Sequence, residues 1–221
     1  MADGSEELIF EVSDGIGVMT LNRPRKRNAL SRALRRAIVE RLDQSAADDS
    51  VRVLILTGAD PAFCAGFDRS EFGAEPESMA EIFAESMAYH RRVYTFEKPI
   101  IAAVNGPALG GGCDLAALCD VRIAASTASF GQPQVRFGAP AMYGLMREVL
   151  PEGVAREMCL TGRRYDALEA QAIGLVNRIV EPPKLQDAAR GIAQEIATLP
   201  EGLAKATKGM FVGEQPPLFQ S

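Results

Sequence analysis

The sequence predicts an α/β fold in which most strands pair in parallel. Strand-like apolar runs and amphipathic helical patterns alternate along the whole chain, which is typical of this class. Two stretches, 51–68 and 100–114, also share one plan: a buried strand, a glycine-containing turn, an acidic residue and then a helix. Stacked repeats of this kind bury a common core and bring equivalent turns together. We therefore expect the backbone at Ala65–Asp68 to lie beside that at Gly110–Gly112.

Each element has a local reason in the sequence. Apolar runs bounded by turn residues predict strands, and apolar residues spaced three or four apart predict helices. Ser31 is expected to cap a helix that runs to about Ala47. Two pairs, Ser78 with Glu81 and Asp166 with Glu169, have the form of capping boxes. The predicted strands are 8–12, 17–22, 51–57, 100–104, 120–124, 129–131 and 175–180, and the predicted helices are 32–47, 75–95, 113–119, 142–150, 154–160, 184–199 and 201–211, with a short helix after residue 166.

The composition argues against several classes of protein. The 221 residues carry 24 Lys and Arg against 29 Asp and Glu, and this net charge of −5 does not suit a nucleic-acid partner. No apolar run approaches the roughly 18 residues of a membrane helix, and the acidic start lacks the features of a targeting peptide. Four cysteines without a C-x-x-C pair and a single histidine predict reduced thiols and no metal site. We expect a cytoplasmic protein with no membrane partner.

The stretch from Pro99 to Asp120 has the strongest indications of a functional site. An apolar strand is followed by a turn, then by Gly110, Gly111 and Gly112, and then by an apolar helix. Consecutive glycines before a helix cost backbone entropy, but they leave N–H groups open to a ligand. The start of a helix also carries the positive end of its dipole. The pattern indicates either a site for a negative or developing negative oxygen, or a tight turn with no ligand.

Two titratable side chains are candidates for acid–base chemistry near this site. Asp114 lies in the first helical turn after the glycines, where a carboxylate also fits a structural role beside the helix dipole. His90, the only histidine, falls on the apolar face of the helix predicted over 75–95. A histidine on such a face is more often part of a core or pocket wall than a base, and both interpretations stay open here.

Five motifs cover nearly the whole chain. They are N-R-P-x-x-x-N-A-L at 22–30, A-F-C-A-G-F-D at 62–68, K-P-I-I-A-A-V-N-G-x-A-L-G-G-G-C-D-L at 98–115, F-G-Q-P at 130–133 and A-I-G-L-V-N at 172–177. Together they resemble the crotonase superfamily of enoyl-CoA hydratases and isomerases. The resemblance implies a crotonase-like spiral of ββα repeats over 1–198 and a shortened C-terminal helical region with its tail over 199–221. It also implies a homotrimer or a dimer of trimers.

The resemblance further implies a substrate and a set of site residues. The substrate is an acyl-CoA thioester, with no cofactor besides, and its carbonyl oxygen is held in an oxyanion hole. The donors to that oxygen are, by position, the N–H groups of Phe67 and Gly111. The resemblance also places the segment from Ala65 to Asp68 against CoA, and Arg25 toward the CoA phosphates. We expect Gly110 and His90 to contact the substrate as well.

The departures from the family pattern concern catalysis. Family hydratases use two glutamates to hold and activate water. The first falls on Asp114, a shorter acid, and the second falls on Gln134, which cannot exchange a proton. No carboxylate replaces it at Met142, and Tyr143, offset by about two residues from the tyrosine of a decarboxylating branch, is interpreted as a packing residue.

Three hypotheses follow from these residues. The first is an enoyl-CoA hydratase or isomerase with Asp114 as its only carboxylate. The second is a hydrolase, decarboxylase or carbon–carbon bond hydrolase in the same pocket, with His90 as its base. The third is a non-catalytic acyl-CoA-binding homologue. We favour an enzyme of the hydratase/isomerase type, because a protein that only binds has little need of a preorganised oxyanion hole.

Overall fold

The computed structural model describes residues 6–71 and 76–219, without the side chains of residues 76–80 and 83. Within these ranges strands and helices alternate, as the sequence predicts. The strands are β1 (Leu8–Ser13), β2 (Ile16–Leu21), β3 (Val53–Gly58), β4 (Ile100–Val104), β5 (Ala108–Leu109), β6 (Val121–Ala125), β7 (Ser129–Gly131), β8 (Arg164–Asp166) and β9 (Arg178–Val180). The α-helices are α1 (Arg32–Ala47), α2 (Pro76–Tyr94), α3 (Gly111–Leu118), α4 (Tyr143–Val149), α5 (Glu152–Thr161), α6 (Ala167–Ala172), α7 (Leu185–Ala197) and α8 (Leu203–Glu214).

The strands form two sheets, and the chain passes from one sheet to the other as it proceeds. The larger sheet has the order β1-β2-β3-β4-β6-β9, and all its pairs except the β1–β2 hairpin are parallel. The smaller sheet has the order β5-β7-β8. Each of β4 and β6 is therefore followed at once by a strand of the other sheet. This stepwise alternation is the repeat that the sequence predicts, and it stacks the loops after β3 and β4 against each other.

Most helix ends agree with the capping signals. Ser31 caps α1 and its Oγ accepts a hydrogen bond from the Leu34 N–H at 3.0 Å. The capping box of Asp166 and Glu169 is present at the start of α6. The box predicted for Ser78 is wrong, because α2 already begins at Pro76 and Ser78 is inside it. Proline is favoured in the first helical turn, where its missing N–H costs no hydrogen bond.

The larger sheet separates two apolar layers by simple strand alternation. In β3, Leu54 and Leu56 face the main core, which α1, α2 and α3 cover, whereas Val53 and Ile55 face α7. The face of α7 against the sheet is mostly small: Ala189, Ala193 and Ala197 are buried there. The main core therefore lies on the side of the sheet that carries the glycine-rich stretch.

The C-terminal segment is attached to this main core. The buried ammonium group of Lys208 in α8 forms an ion pair with Asp120. Phe219 is 4% exposed and packs among the core residues. The predicted boundary between 198 and 199 stays a prediction. None of the described helices has the length and apolar content needed to cross a membrane.

Candidate active site

Two loop segments, one after β3 and one after β4, run side by side. The Cys64 N–H donates to the Pro107 carbonyl at 3.1 Å, and the Leu109 N–H donates to the Cys64 carbonyl at 3.0 Å. A methyl group built on Gly112 would lie 2.1 Å from the Cys64 carbonyl oxygen, so only glycine fits at this crossing. The structure thus brings together the two segments that the internal repeat predicts to be neighbours.

Two backbone N–H groups are free at this crossing. Within residues 6–71 and 76–219, neither Phe67 N–H nor Gly111 N–H has a hydrogen-bond acceptor. The neighbours of Phe67 are engaged, because Leu30 N–H donates to the Gly66 carbonyl at 2.8 Å and Asp68 N–H donates to the Leu30 carbonyl at 3.2 Å. A methyl group on Gly66 would lie only 3.3 Å from the Gly111 nitrogen. The two free donors therefore belong to segments in direct contact.

The glycines set the direction of the second donor. Gly110 has φ 53° and ψ −125°, a conformation that side chains rarely adopt, and its own N–H donates to the Gly131 carbonyl at 2.9 Å. The chain then turns into α3, so that Gly111 is the first helical residue. Its N–H adds the positive end of the helix dipole to the free donor of Phe67. This arrangement suits an oxygen that gains negative charge.

Asp114 lies one turn further along α3 and is 2% exposed. Its Oδ1 accepts a hydrogen bond from Gln132 Nε2 at 2.7 Å, and Gln132 Oε1 accepts one from Gln134 Nε2 at 2.6 Å. An ionised carboxylate only accepts, so the orientation of the Gln132 amide, and hence of the Gln134 amide, is fixed. Both amides point their donors toward Asp114. Gln134, predicted at the second acid position, therefore reaches Asp114 only through Gln132.

His90 faces the other oxygen of this carboxylate. Its Nε2 lies 3.7 Å from Asp114 Oδ2, and both side chains are about 2% exposed. The ring is surrounded by aromatic side chains: Phe219 stacks at 5.6 Å between centroids, Tyr89 meets it edge-on at 5.1 Å, and Phe67 lies at 5.9 Å. The structure thus makes His90 a buried wall of the site whose second nitrogen points at the candidate acid.

Most other titratable groups around Asp114 are neutral near pH 7. Burial raises the pKa of the Cys64 thiol to about 12. It also raises the pKa of the Tyr89 hydroxyl well above its ordinary value. Arg35, which is 3% exposed, lies over the Phe67 ring with its guanidinium carbon 5.1 Å from the centroid. The Asp114 carboxyl group is therefore surrounded mainly by apolar and neutral side chains.

Asp68 is held by a buried ion pair at the edge of the site. Arg23 Nη2 lies 2.9 Å from Asp68 Oδ2, and Ser70 Oγ donates to Asp68 Oδ1 at 2.6 Å. Burial acts to raise the pKa of Asp68, but the hydrogen bonds from Ser70 and Arg23 outweigh it and the pKa is lowered. The Asp68 side chain is thus already engaged, and it fixes the loop that carries Phe67.

Arg25 and Ala65, which the resemblance places against the substrate, lie on the surface of the protein. Both are exposed. The Ala65 N–H donates to the Arg27 carbonyl at 2.9 Å, which connects the loop after β3 to the segment 23–27 with its four basic residues. Arg25 is in the short 3₁₀ helix Pro24–Lys26. Tyr143 instead points toward Glu152, to which its hydroxyl donates at 3.2 Å. No three His, Cys, Asp or Glu side chains of the described residues come together as a metal site.

Several residues that shape the site are not identified by the sequence motifs. Gln132 is within the motif F-G-Q-P, and it is the side chain in contact with Asp114. Arg23 is one of four basic residues at 23–27, and nothing in the sequence distinguishes it as the partner of Asp68. Ser86 lies four residues before His90, a spacing that places its carbonyl next to the imidazole on a helix.

Comparison with known proteins agrees with this geometry. The family model described as enoyl-CoA hydratase/isomerase matches residues 11–215. The chain belongs to the enoyl-CoA hydratase/isomerase family. A crotonyl-CoA hydratase of Syntrophomonas wolfei is 40% identical, over 86% of this chain and 75% of its own length. A short-chain-enoyl-CoA hydratase of Clostridium acetobutylicum is 39% identical, over the same shares of the two chains.

A solved structure of an enoyl-CoA hydratase from Mycobacterium smegmatis superposes with a TM-score of 0.91 at 32% identity. The alignment covers 96% of this chain and 86% of that one. The prediction of a crotonase-type fold and of an acyl-CoA enzyme of the hydratase/isomerase type is confirmed. In this chain two amides, Gln132 and Gln134, form the hydrogen-bonded chain that ends on Asp114.

Proposed function

We propose that this protein adds water across the C2=C3 double bond of an enoyl-CoA thioester. The observation that carries the proposal is the pair of free N–H groups at Phe67 and Gly111, next to the buried carboxylate of Asp114. A thioester oxygen in this position becomes negative as the enolate forms. One such donor is typically worth about 10²–10³ in rate, because it is already oriented before the charge appears.

Asp114 is the group that holds the attacking water in this proposal. Its Oδ1 is occupied by Gln132, so Oδ2 is the oxygen left to accept a hydrogen from water. A base of the site takes one proton from the water, so that the water O–H bond breaks as its oxygen bonds to C3. The C2=C3 electron pair moves toward the thioester oxygen, and the N–H groups of Phe67 and Gly111 stabilise the resulting enolate. Protonation at C2 then completes the addition of one water.

The CoA moiety of the substrate is placed in this proposal along two exposed residues, Ala65 and Arg25, at the edge of the site. We infer that the CoA moiety follows Ala65 and that Arg25, an exposed cation, contacts the phosphates. Asp68 supports this edge through Arg23 and does not itself need to face CoA. No cofactor besides the CoA thioester enters this scheme.

We infer a homotrimer, which is the assembly that the family resemblance implies, with an exposed apolar surface on the side of the 3₁₀ helix Pro133–Phe137 as its interface. Phe137 is 64% exposed and Leu160, on the neighbouring α5, is 76% exposed. The two elements are joined by a hydrogen bond from Arg136 Nε to the Thr161 carbonyl at 2.8 Å. Large apolar side chains exposed together favour a subunit interface. Light scattering should give three chains per particle or a multiple of three, and Phe137→Glu should reduce the mass to one chain.

The decisive test of the activity uses the substrate class itself. Purified protein is mixed with crotonyl-CoA and with longer 2-enoyl-CoAs, and mass spectrometry looks for a product heavier by one water that still contains CoA. Asp114→Asn should lower the rate about 10²–10⁴-fold, the usual cost of losing a general acid–base group. Asn keeps an oxygen for the Gln132 donor, so this variant should fold and bind CoA.

A matched control keeps this test specific. Asp187→Asn makes the same chemical change at an exposed position on α7, on the far side of the sheet, and should keep the wild-type rate. Binding of acyl-CoA by calorimetry with no product from any member of the panel would contradict the proposal and favour a binding protein.

A second candidate is hydrolysis of the thioester, and the two amides favour it. Gln132 and Gln134 leave Asp114 as the only carboxylate in the hydrogen-bonded chain, and hydrolysis needs a single base next to an oxyanion hole. The same mass spectra separate the two reactions, because hydrolysis releases free CoA and hydration does not.

A further inference from the structure

His90 is held in one tautomer by its own helix. Nδ1 lies 2.7 Å from the Ser86 carbonyl oxygen and 3.2 Å from Ser86 Oγ. A carbonyl oxygen can only accept, so the hydrogen of a neutral His90 must be on Nδ1. Nε2 is then left with its lone pair. This nitrogen is buried and has no hydrogen-bond partner among the described residues.

The lone pair of Nε2 points at another acceptor. Asp114 Oδ2 lies 3.7 Å away, too far for a direct hydrogen bond, and Asp114 Oδ1 is already used by Gln132. Two facing acceptors in a buried site repel each other unless a hydrogen lies between them. A water molecule beside the gap can donate one hydrogen to Nε2 and the other to Oδ2, which leaves the lone pairs of its oxygen free.

We propose that His90 Nε2 is the second acid–base group of the site and that, with Asp114 Oδ2, it holds and deprotonates the water that attacks C3. The proposal rests on the hydration proposed above. It assigns to His90 the proton transfer that Gln134 cannot perform, since the Gln134 amide donates to Gln132 and has no exchangeable acid proton near neutral pH.

The proton balance closes within this pair. The water O–H bond breaks, its proton goes to Nε2, and the oxygen forms the C3–O bond. The π electrons move into the enolate that the oxyanion hole stabilises. The imidazolium next to the Asp114 carboxylate is then an ion pair instead of two facing acceptors. Return of the proton to C2 restores neutral His90, so the net change is the addition of one water.

The groups that face His90 come from the helices packed around it and from the C-terminal segment. Asp114 on α3 is the carboxylate in contact, and Arg35 on α1 is a cation beyond the Phe67 ring. Tyr89 on the same helix is a buried neutral hydroxyl, and from the described C-terminal residues the ring of Phe219 stacks on His90. Among the described residues, Asp114 is therefore the acidic group that faces Nε2.

His90→Gln tests the acid–base role separately from the shape. A glutamine can place an amide group where Nε2 lies but cannot carry the proton, so kcat for crotonyl-CoA should fall about 10²–10⁴-fold while KM changes little. The pH profile of kcat/KM should lose one ionisation. The double variant with Asp114→Asn should be about as slow as the slower single variant, because both residues act on one water.

Arg91→Gln is the matched control, since it makes a similar change at the next, exposed position of α2 and should leave kcat unchanged. The melting temperature and the affinity for CoA confirm that each variant is folded. His90→Gln with a kcat within about twofold of wild type and an unaltered pH profile overturns the role of His90 and leaves the hydratase proposal standing. A wild-type protein that hydrates no enoyl-CoA overturns both.

The single histidine also permits a test that needs no turnover. Labelling with ¹⁵N-histidine gives the signals of one imidazole, because the chain contains one His. In the neutral form the hydrogen should be on Nδ1, and a 2-enoyl-CoA should shift the Nε2 signal more than the Nδ1 signal. A hydrogen on Nε2 in the neutral form overturns the inference, whatever the activity.

Discussion

Gln132→Met removes the hydrogen bond that orients the candidate acid while keeping the volume of the side chain. Gln132 is fully buried, donates to Asp114 Oδ1 at 2.7 Å and accepts from Gln134 at 2.6 Å. Its nitrogen also lies 3.4 Å from the sulfur of Met146, so a thioether fits next to this neighbour. The substitution is therefore expected to act on hydrogen bonding more than on packing.

The magnitude follows from the two bonds. A hydrogen bond to a charged group contributes about 1.5–3 kcal/mol, and the half-buried Gln134 amide, which can turn to water, loses at most about 1 kcal/mol. A destabilisation of about 3 kcal/mol corresponds to a fall in melting temperature of roughly 6–12 °C for a chain of this size. With its anchor lost, Asp114 should also be misplaced, and kcat should fall roughly 10–10²-fold.

Urea unfolding and initial rates on crotonyl-CoA measure the two effects. Gln171→Met, the same change at an exposed position of α6, should stay within about 0.5 kcal/mol of wild type. A double-mutant cycle with Asp114→Asn should give a coupling energy of about 1–3 kcal/mol. If Gln132→Met unfolds at the same urea concentration as wild type, the proposed chain of amides does not stabilise the carboxylate and the reasoning is refuted.

Three further predictions concern the surroundings of the site. The pKa of Asp68 is lowered in the folded protein, so its ion pair with Arg23 should stabilise the fold above about pH 4. This stabilisation should be lost as the pH falls further. The difference in unfolding free energy between wild type and Asp68→Asn should therefore shrink on going from pH 7 to pH 3. Gly112→Ala should abolish hydration and lower the melting temperature, because the new methyl group would meet the Cys64 carbonyl at 2.1 Å; a variant as stable and active as wild type would contradict the crossing described above. Iodoacetamide at pH 7 should label Cys159 before the other cysteines, and slowly. This thiol is half-buried and has a pKa of about 11, whereas the other three thiols are buried. Rapid labelling of Cys64 in the folded protein would refute the burial of Cys64.

The parts of the fold that could be predicted from sequence are those with a local or periodic cause. Apolar runs gave β3 and β4 within two residues, and Ser31 gave the start of α1. The internal repeat correctly placed the loop at Ala65–Asp68 beside the three glycines, because equivalent turns of stacked units must meet. The start of α2 was predicted to within one residue, but the capping box at Ser78 was wrong, because the helix begins with the proline at residue 76.

The parts that could not be predicted depend on which side chain reaches a partner across the fold. The sequence offers Gln132 and Gln134 two residues apart, and only the turn from β7 into the 3₁₀ helix decides that Gln132 contacts Asp114. Arg23 looks like its basic neighbours until the loop carrying Asp68 lies against it. The apolar face of α2 correctly placed His90 in the interior, but helical periodicity says nothing about which nitrogen carries the hydrogen.

The chain of amides and the tautomer of His90 together explain how one carboxylate could serve a reaction for which two acids are usual in this family. Gln132 donates to one oxygen of Asp114 and thereby orients the carboxylate, so that Oδ2 is the oxygen that faces His90. Ser86 holds Nδ1–H of His90 and thereby leaves Nε2 as the second acceptor. Before reaction the two acceptors face each other at 3.7 Å, and after proton transfer they form an ion pair. The charge separation that accompanies the attack of water on C3 is therefore stabilised at both ends, by the ion pair at the nucleophile and by the two N–H groups at the thioester oxygen.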